Sequence, residues 1–200
     1  MVGKLQSKYV DIEYTSGKFK SKIHITIHAI DDSISLLSLG RMQVQNANPA
    51  DEIIPGIWLG SYRATGGQWL SSHTIACVFN CTKDIAFHPS IPVKYRVPVD
   101  DNLKDEEIRN LELWSYEIVF KMLQEYKKGK PILVHCAAGM QRSAACVAMF
   151  LIILKHMKPD EAIAYIQSKR PIAFRPAVNF RKAIDSFYES YQKDNTSRYI

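Results

Sequence analysis

The run Val134-His135-Cys136-Ala137-Ala138-Gly139-Met140-Gln141-Arg142-Ser143 puts a nucleophile, a glycine and a guanidinium into one short stretch. An apolar segment of strand character precedes it and one of helix character follows it. Seven residues at such a junction can curl into a cradle whose backbone N–H groups converge on an anion, and the helix that follows adds a positive dipole end at the same point. Gly139 permits the backbone conformation and close approach that the curl needs. Cys136, Ala137, Ala138, Gly139, Met140, Gln141 and Arg142 would together hold three oxygens of a phosphate. A thiolate is a strong nucleophile for phosphorus, and the N–H groups and the dipole lower the Cys136 pKa below the free value of about 8.5. Arg142 offers a planar fork for two oxygens of the transferring group, a geometry lysine cannot copy. Ser143 is placed to donate to the Cys136 sulfur when it leaves. His135, at the strand end, orders the loop and tunes the thiolate.

Displacement at phosphorus also needs an acid for the leaving oxygen and a base for the attacking water, and one carboxyl can serve both steps. Asp100, Asp101 and Asp105 are the candidates. For Asp101 the competing reading is a helix N-cap, since helix starts prefer aspartate.

The elements that must position these groups follow from periodicity. IIPGIWLGS (53–61), IACVFN (75–80), VKYRVPV (93–99) and PILVHC (131–136) read as strands. Between the last two, Ile108, Leu111, Trp114, Ile118, Met122 and Tyr126 recur three or four apart, predicting an amphipathic helix over 105–126. A helix over 142–156 is apolar almost all round and must be buried. Pro159 opens another over 160–168, and a last one runs over 177–192. Interleaved in this order, these elements predict an α/β domain with a central mixed, largely parallel sheet flanked by helices over residues 51–200. Residues 1–50 form a β-rich extension and linker: Ile23, Ile25 and Ile27 alternate with Lys22, His24, Thr26 and His28, Ser16-Gly17 supplies a hairpin turn, and 41–52 reads as linker. His24 and His28 share a strand face, but no carboxylate or cysteine stands at matching spacing, so no metal site is assigned.

HCAAGMQRS matches H-C-x-x-G-x-x-R-S, the signature of cysteine phosphatases, and most resembles the dual-specificity branch related to the poxvirus H1 phosphatase. Five fixed positions arise by chance in a chain of this length at roughly one in ten thousand or less. IIPGIWLGS resembles the family's opening strand, CVFNCT its next core strand, YRVPVDDN its acid loop and RPIAFRPAVNF its C-terminal segment, so the resemblance covers about residues 51–191. It implies a protein phosphatase acting on phosphotyrosine and phosphoserine or phosphothreonine through a phosphocysteine intermediate, without cofactor or metal. The family acid matches Asp101, although Asp101 lies 35 residues before Cys136, a few more than is usual. The resemblance makes Asn80 a brace beside the active-site loop, with strand-end turn chemistry as the alternative. It makes Cys81 a candidate partner for a reversible disulfide with Cys136, the alternative being a free buried thiol. Cys146 reads as core. Arg175 and Asn179 match the segment flanking the family's active site, where substrate contact competes with capping and surface charge.

Lys and Arg total 26 against 20 Asp and Glu, a formal +6, which favours anionic partners but includes no clustered basic run of a nucleic-acid binder. The expected partners are therefore phosphorylated proteins, with no nucleic acid and no membrane; a homodimer through the N-terminal extension is a further expectation. Four cysteines at 77, 81, 136 and 146 form no disulfide framework, and the N-terminus has no apolar signal core. A soluble cytoplasmic location is expected, with the nucleus as an alternative. Ala137, Ala138, Met140 and Gln141 add no charge to the loop, which favours protein substrates over a phosphoinositide or an RNA 5′-phosphate. A phospho-binding scaffold with little turnover is the remaining alternative.

Overall fold

A computed structural model describes residues 7–16, 19–28 and 47–197, and the chain divides into two units, 1–46 and 47–200. In the first, β1 (Ser7–Ser16) pairs antiparallel with β2 (Phe19–His28), in register from Ser7↔His28 to Ser16↔Phe19. The turn placed at Ser16-Gly17, the linker up to residue 46 and the side chains of His24 and His28 lie outside what is described.

The second unit is built on a five-stranded sheet of order β3-β4-β7-β5-β6. Its strands are β3 (Ala50–Ile54), β4 (Ile57–Ser61), β5 (Cys77–Asn80), β6 (Val93–Arg96) and β7 (Ile132–Cys136). All neighbours are parallel except β3 and β4, so the sheet is mixed and largely parallel. The stretch 53–61 is therefore not one strand. Pro55-Gly56 turns the chain, Gly56 takes φ +84°, and two antiparallel strands result; such a dipeptide is a turn signal in its own right. β3 also takes in residues 50–52, which the polar composition suggested were linker.

Five helices follow the strands: α1 (Gly67–Ser72), α2 (Asp105–Tyr126), α3 (Arg142–Lys155), α4 (Pro159–Lys169) and α5 (Arg181–Ser197). α1 and the 3-10 turn Tyr62–Thr65 before it are too short to leave a periodic signal. α5 begins four residues later than periodicity suggested, because 174–180 is spent on contacts with the active-site loop described below. Strand alternation sends Ile132, Val134 and Cys136 to one face of the sheet, into the larger apolar cluster with α2 to α5, and Leu133 to the other, with Ala64, Leu70 and Ile91. α3 is buried along ten consecutive residues, Ser143–Ile152. On α2, Leu111, Ile118 and Met122 are buried as the spacing predicts, whereas Trp114 is 49% exposed. Among the described residues no helix is long and apolar enough to cross a membrane.

Candidate active site

Cys136 ends β7, the central strand, and Arg142 opens α3. The loop between them is held from outside by its carbonyls. Ala137 O accepts from the Tyr62 N–H (3.3 Å), Met140 O from the Phe174 N–H (2.8 Å), and Gln141 O from the Ala145 N–H (2.8 Å). Ala138 O and Gly139 O accept from Arg170, at 3.3 Å from Nη2 and 2.8 Å from Nε. In a planar trans peptide the N–H of one residue points opposite to the carbonyl of the residue before it. Five outward carbonyls thus turn the N–H groups of residues 138–142 to the opposite, inner side, where an anion would sit.

Gly139 is required twice over: φ is +69°, and a Cβ there would stand 2.5 Å from the carbonyl carbon and oxygen of Gly60 on β4. The Cys136 sulfur accepts from the Gly139 N–H (3.2 Å) and the Ser143 hydroxyl (3.3 Å). Burial by itself would raise this thiol's pKa. The charge of Arg142, the Ser143 hydroxyl and the N–H groups of Ser143 and Met140 outweigh it and hold the pKa below its ordinary value, which favours the nucleophilic thiolate. Arg142 donates from Nη1 to Val99 O (3.2 Å), and its buried Nε–H has no partner among the described residues. That is donor capacity an anion can take up.

His135 points to the face opposite Cys136 and is buried. Burial, with smaller contributions from Arg96 and Arg142, lowers its pKa to about 4 against an opposing bond to the Cys136 carbonyl. It is therefore neutral near pH 7, with Nδ1 toward Cys136 O (3.5 Å) and Nε2 unpartnered among the described residues.

The three carboxylate candidates separate. Asp100 is bound by Lys83 (2.9 Å), its N–H donates to Glu107 (2.9 Å), and Lys83 also bonds Glu107, so this corner is occupied. Asp105 lies in the first turn of α2, and Lys104 occupies the N-cap position of that helix without a side-chain capping bond, so Asp101 is not the N-cap. Asp101 accepts from Asn179 Nδ2 (2.8 Å), and the Asn179 N–H donates to Gln141 Oε1 (3.1 Å). A single residue thus joins Asp101 to the loop, and Arg142 grips Val99 two residues before it.

Asn80 donates to Ile85 O and accepts from Thr82, organising the 80–85 turn. Cys81 has its sulfur 3.7 Å from that of Cys146, both buried, and this contact followed by burial raises its pKa. Arg175 is exposed, and its carbonyl accepts from Gln141 Nε2 (3.0 Å).

Arg170 was not anticipated. Arg170 opens the RPIAFRPAVNF segment that carries part of the resemblance, but no periodicity marks an arginine there for burial, and this one is 1% exposed. Besides its two loop carbonyls it reaches Asn48 O (3.1 Å) and Asp51 Oδ2 (2.6 Å). Arg170→Met would leave two buried loop carbonyls unpaired and take from the partly buried Asp51 carboxylate its cation partner, with only the Asn48 side-chain amide still donating to it. We expect a loss of about 3 kcal/mol in urea unfolding, with Arg170→Lys recovering only part of it because an ammonium cannot span all four acceptors.

A family model described as dual specificity phosphatase, catalytic domain, matches residues 57–190. The human protein named dual specificity protein phosphatase 4 is 30% identical over 125 residues, covering 60% of this chain and 30% of that protein. The Arabidopsis thaliana protein named dual specificity protein phosphatase 1 is 26% identical over 176 residues, covering 88% of this chain and 85% of its own length. The chain spans about a third of the length of the vertebrate relatives it matches. Among solved structures, a point variant of human DUSP28 superposes with a TM-score of 0.65 at 25% identity, covering 74% of this chain and 99% of that one.

Proposed function

The chain belongs to the dual specificity phosphatase catalytic-domain family, and on that premise we propose that residues 51–200 hydrolyse phosphotyrosine and phosphoserine or phosphothreonine in proteins. The observation that carries this reading is the loop itself: five carbonyls turned outward around a buried, acidified Cys136.

In the first step the Cys136 thiolate attacks phosphorus in line. The S–P bond forms, the bond from phosphorus to the ester oxygen breaks, and Asp101 gives its proton to that oxygen. The inner N–H groups and Arg142 hold the equatorial oxygens as charge redistributes. In the second step Asp101 takes a proton from water as the water attacks the phosphocysteine, inorganic phosphate leaves, and the Ser143 hydroxyl stabilises the departing thiolate. Neutral His135 holds the strand end and transfers no proton. The steps draw on side chains and backbone alone, without metal or cofactor.

The uncharged loop side chains support a protein substrate. Ala137, Ala138 and Met140 offer no second phosphate contact, and Gln141 is committed to Arg175 O, Ala177 O and the Asn179 N–H. The test measures phosphate release by the full chain and by Asp101→Asn. Substrates are phosphotyrosine and phosphothreonine peptides, an activated aryl phosphate, a phosphoinositide and an RNA 5′-triphosphate. We expect release from the peptides, and Asp101→Asn to slow phosphothreonine about a hundredfold while slowing the activated ester far less, because a good leaving group needs no proton. Equal slowing of both would remove Asp101 from the acid role. Release only from the lipid or the RNA would overturn the substrate class, and phosphopeptide retention without release would leave a binding scaffold.

A further inference from the structure

The described residues include six large apolar side chains that are markedly exposed, and four of them, Leu113, Trp114, Tyr116 and Phe120, stand on α2. Leu113 is 74% exposed and Phe120 57%. A concentration of this kind on one helix marks an interaction surface rather than scattered surface apolarity. α2 is 22 residues long, about 33 Å at 1.5 Å per residue, long enough to form an interface of its own. Beside the stripe runs a groove floored by Phe79, Tyr95, Val97 and Pro98 and bordered on α2 by Trp114 and Lys121.

The charges on α2 indicate what covers it. The first turn is acidic, with Asp105 and Glu106 exposed, and the far end is basic, with Lys127 and Lys128 exposed just beyond the last turn. The apolar residues lie between. Laid antiparallel against its own copy about a two-fold axis between Tyr116 and Glu117, α2 sets Leu113 against Phe120 of the second copy. The same register sets Glu106 against Lys127 and Arg109 against Gln124. Every contact occurs twice, as a two-fold interface requires. The antiparallel helix dipoles add to the match. A parallel arrangement would instead bring acid to acid and base to base.

We propose that this face of α2 is a homodimer interface in which two copies pack antiparallel in that register. The interface lies outside the active-site loop and uses none of its side chains. A single helix stripe with its groove is small for a specific interface, so half-association is expected near about 10 μM.

The test is sedimentation equilibrium of the full chain across that range, with phosphate-ester turnover per chain as the control for folding. The unaltered protein should dimerise. Phe120→Ser, at a position already largely in solvent, should weaken the dimer about tenfold or more without loss of turnover per chain. Glu106→Lys and Lys127→Glu should each weaken it about tenfold by placing like charges opposite one another at both ends, and the two together should restore it. A monomer throughout the range overturns the proposal. So does a dimer indifferent to all three substitutions, or one in which the double charge reversal fails to restore association.

Discussion

Cys136→Ser should end turnover, lowering kcat on the order of 10⁵-fold, while phosphopeptide binding persists or tightens. The reasoning separates what the loop does from what the sulfur does. Carbonyls 137–141 are held by the N–H groups of Tyr62, Phe174 and Ala145 and by the Arg170 guanidinium, and none of these groups bonds the sulfur, so the cradle of N–H groups survives the substitution. A serine hydroxyl stays protonated in a site that ionises a thiol, because its intrinsic pKa is several units higher, and so the nucleophile is lost. The same change removes the negative charge that an incoming phosphate must approach, which is why affinity does not fall. Single-turnover kinetics with calorimetric titration of a non-hydrolysed phosphopeptide would measure both. Substantial residual turnover would move the nucleophile elsewhere. Loss of binding would mean that the sulfur, rather than the backbone, organises the loop.

Arg142→Lys comes next in size, with an expected fall of about a thousandfold in kcat/KM. The guanidinium donates to Val99 O with one nitrogen and keeps further donors for two phosphate oxygens. An ammonium must choose between the loop carrying Asp101 and the substrate. Arg142 is also the strongest of the influences that lower the Cys136 pKa against the upward push of burial. Arg142→Met, which removes the charge altogether, should therefore move the Cys136 titration upward from its depressed value. The thiolate is the form that reacts, so alkylation by iodoacetamide should slow most at low pH, with the deficit closing as pH rises past the new pKa. Arg142→Lys should show a smaller shift. An unchanged alkylation profile in Arg142→Met would assign the thiolate's stabilisation to Ser143 and the loop amides alone.

The loop geometry was readable where its parts are contiguous. Cys136, Gly139, Arg142 and Ser143 lie on one strand-loop-helix passage, and the hydrogen bonds from Gly139 and Ser143 to the sulfur span three and seven residues. The order of strands and long helices was also readable, because alternation and 3.6-residue periodicity are local properties. The stretch 53–61 is apolar enough to read as one strand, but Pro55-Gly56 is a local turn signal and it divides the stretch in two. Trp114 belongs to the periodic stripe yet is 49% exposed for a different reason: spacing identifies an apolar stripe but not how much of it the neighbouring elements cover. The different surroundings of Asp100 and Asp101 illustrate the same limit, since they are set by Lys83, Asn179 and Gln141, side chains from three other segments.

The sequence by itself determined which groups stand together, a thiol, an arginine fork and a glycine-bearing turn in one nine-residue stretch, because those groups are neighbours along the chain. Only the tertiary structure decided how that stretch is held. The five loop carbonyls are fixed in large part by Tyr62, Arg170 and Phe174, and Arg170 is itself anchored to Asp51 across more than a hundred residues. Contacts at that separation leave no periodicity and no motif, since what places the residues together is the packing of the sheet and helices between them.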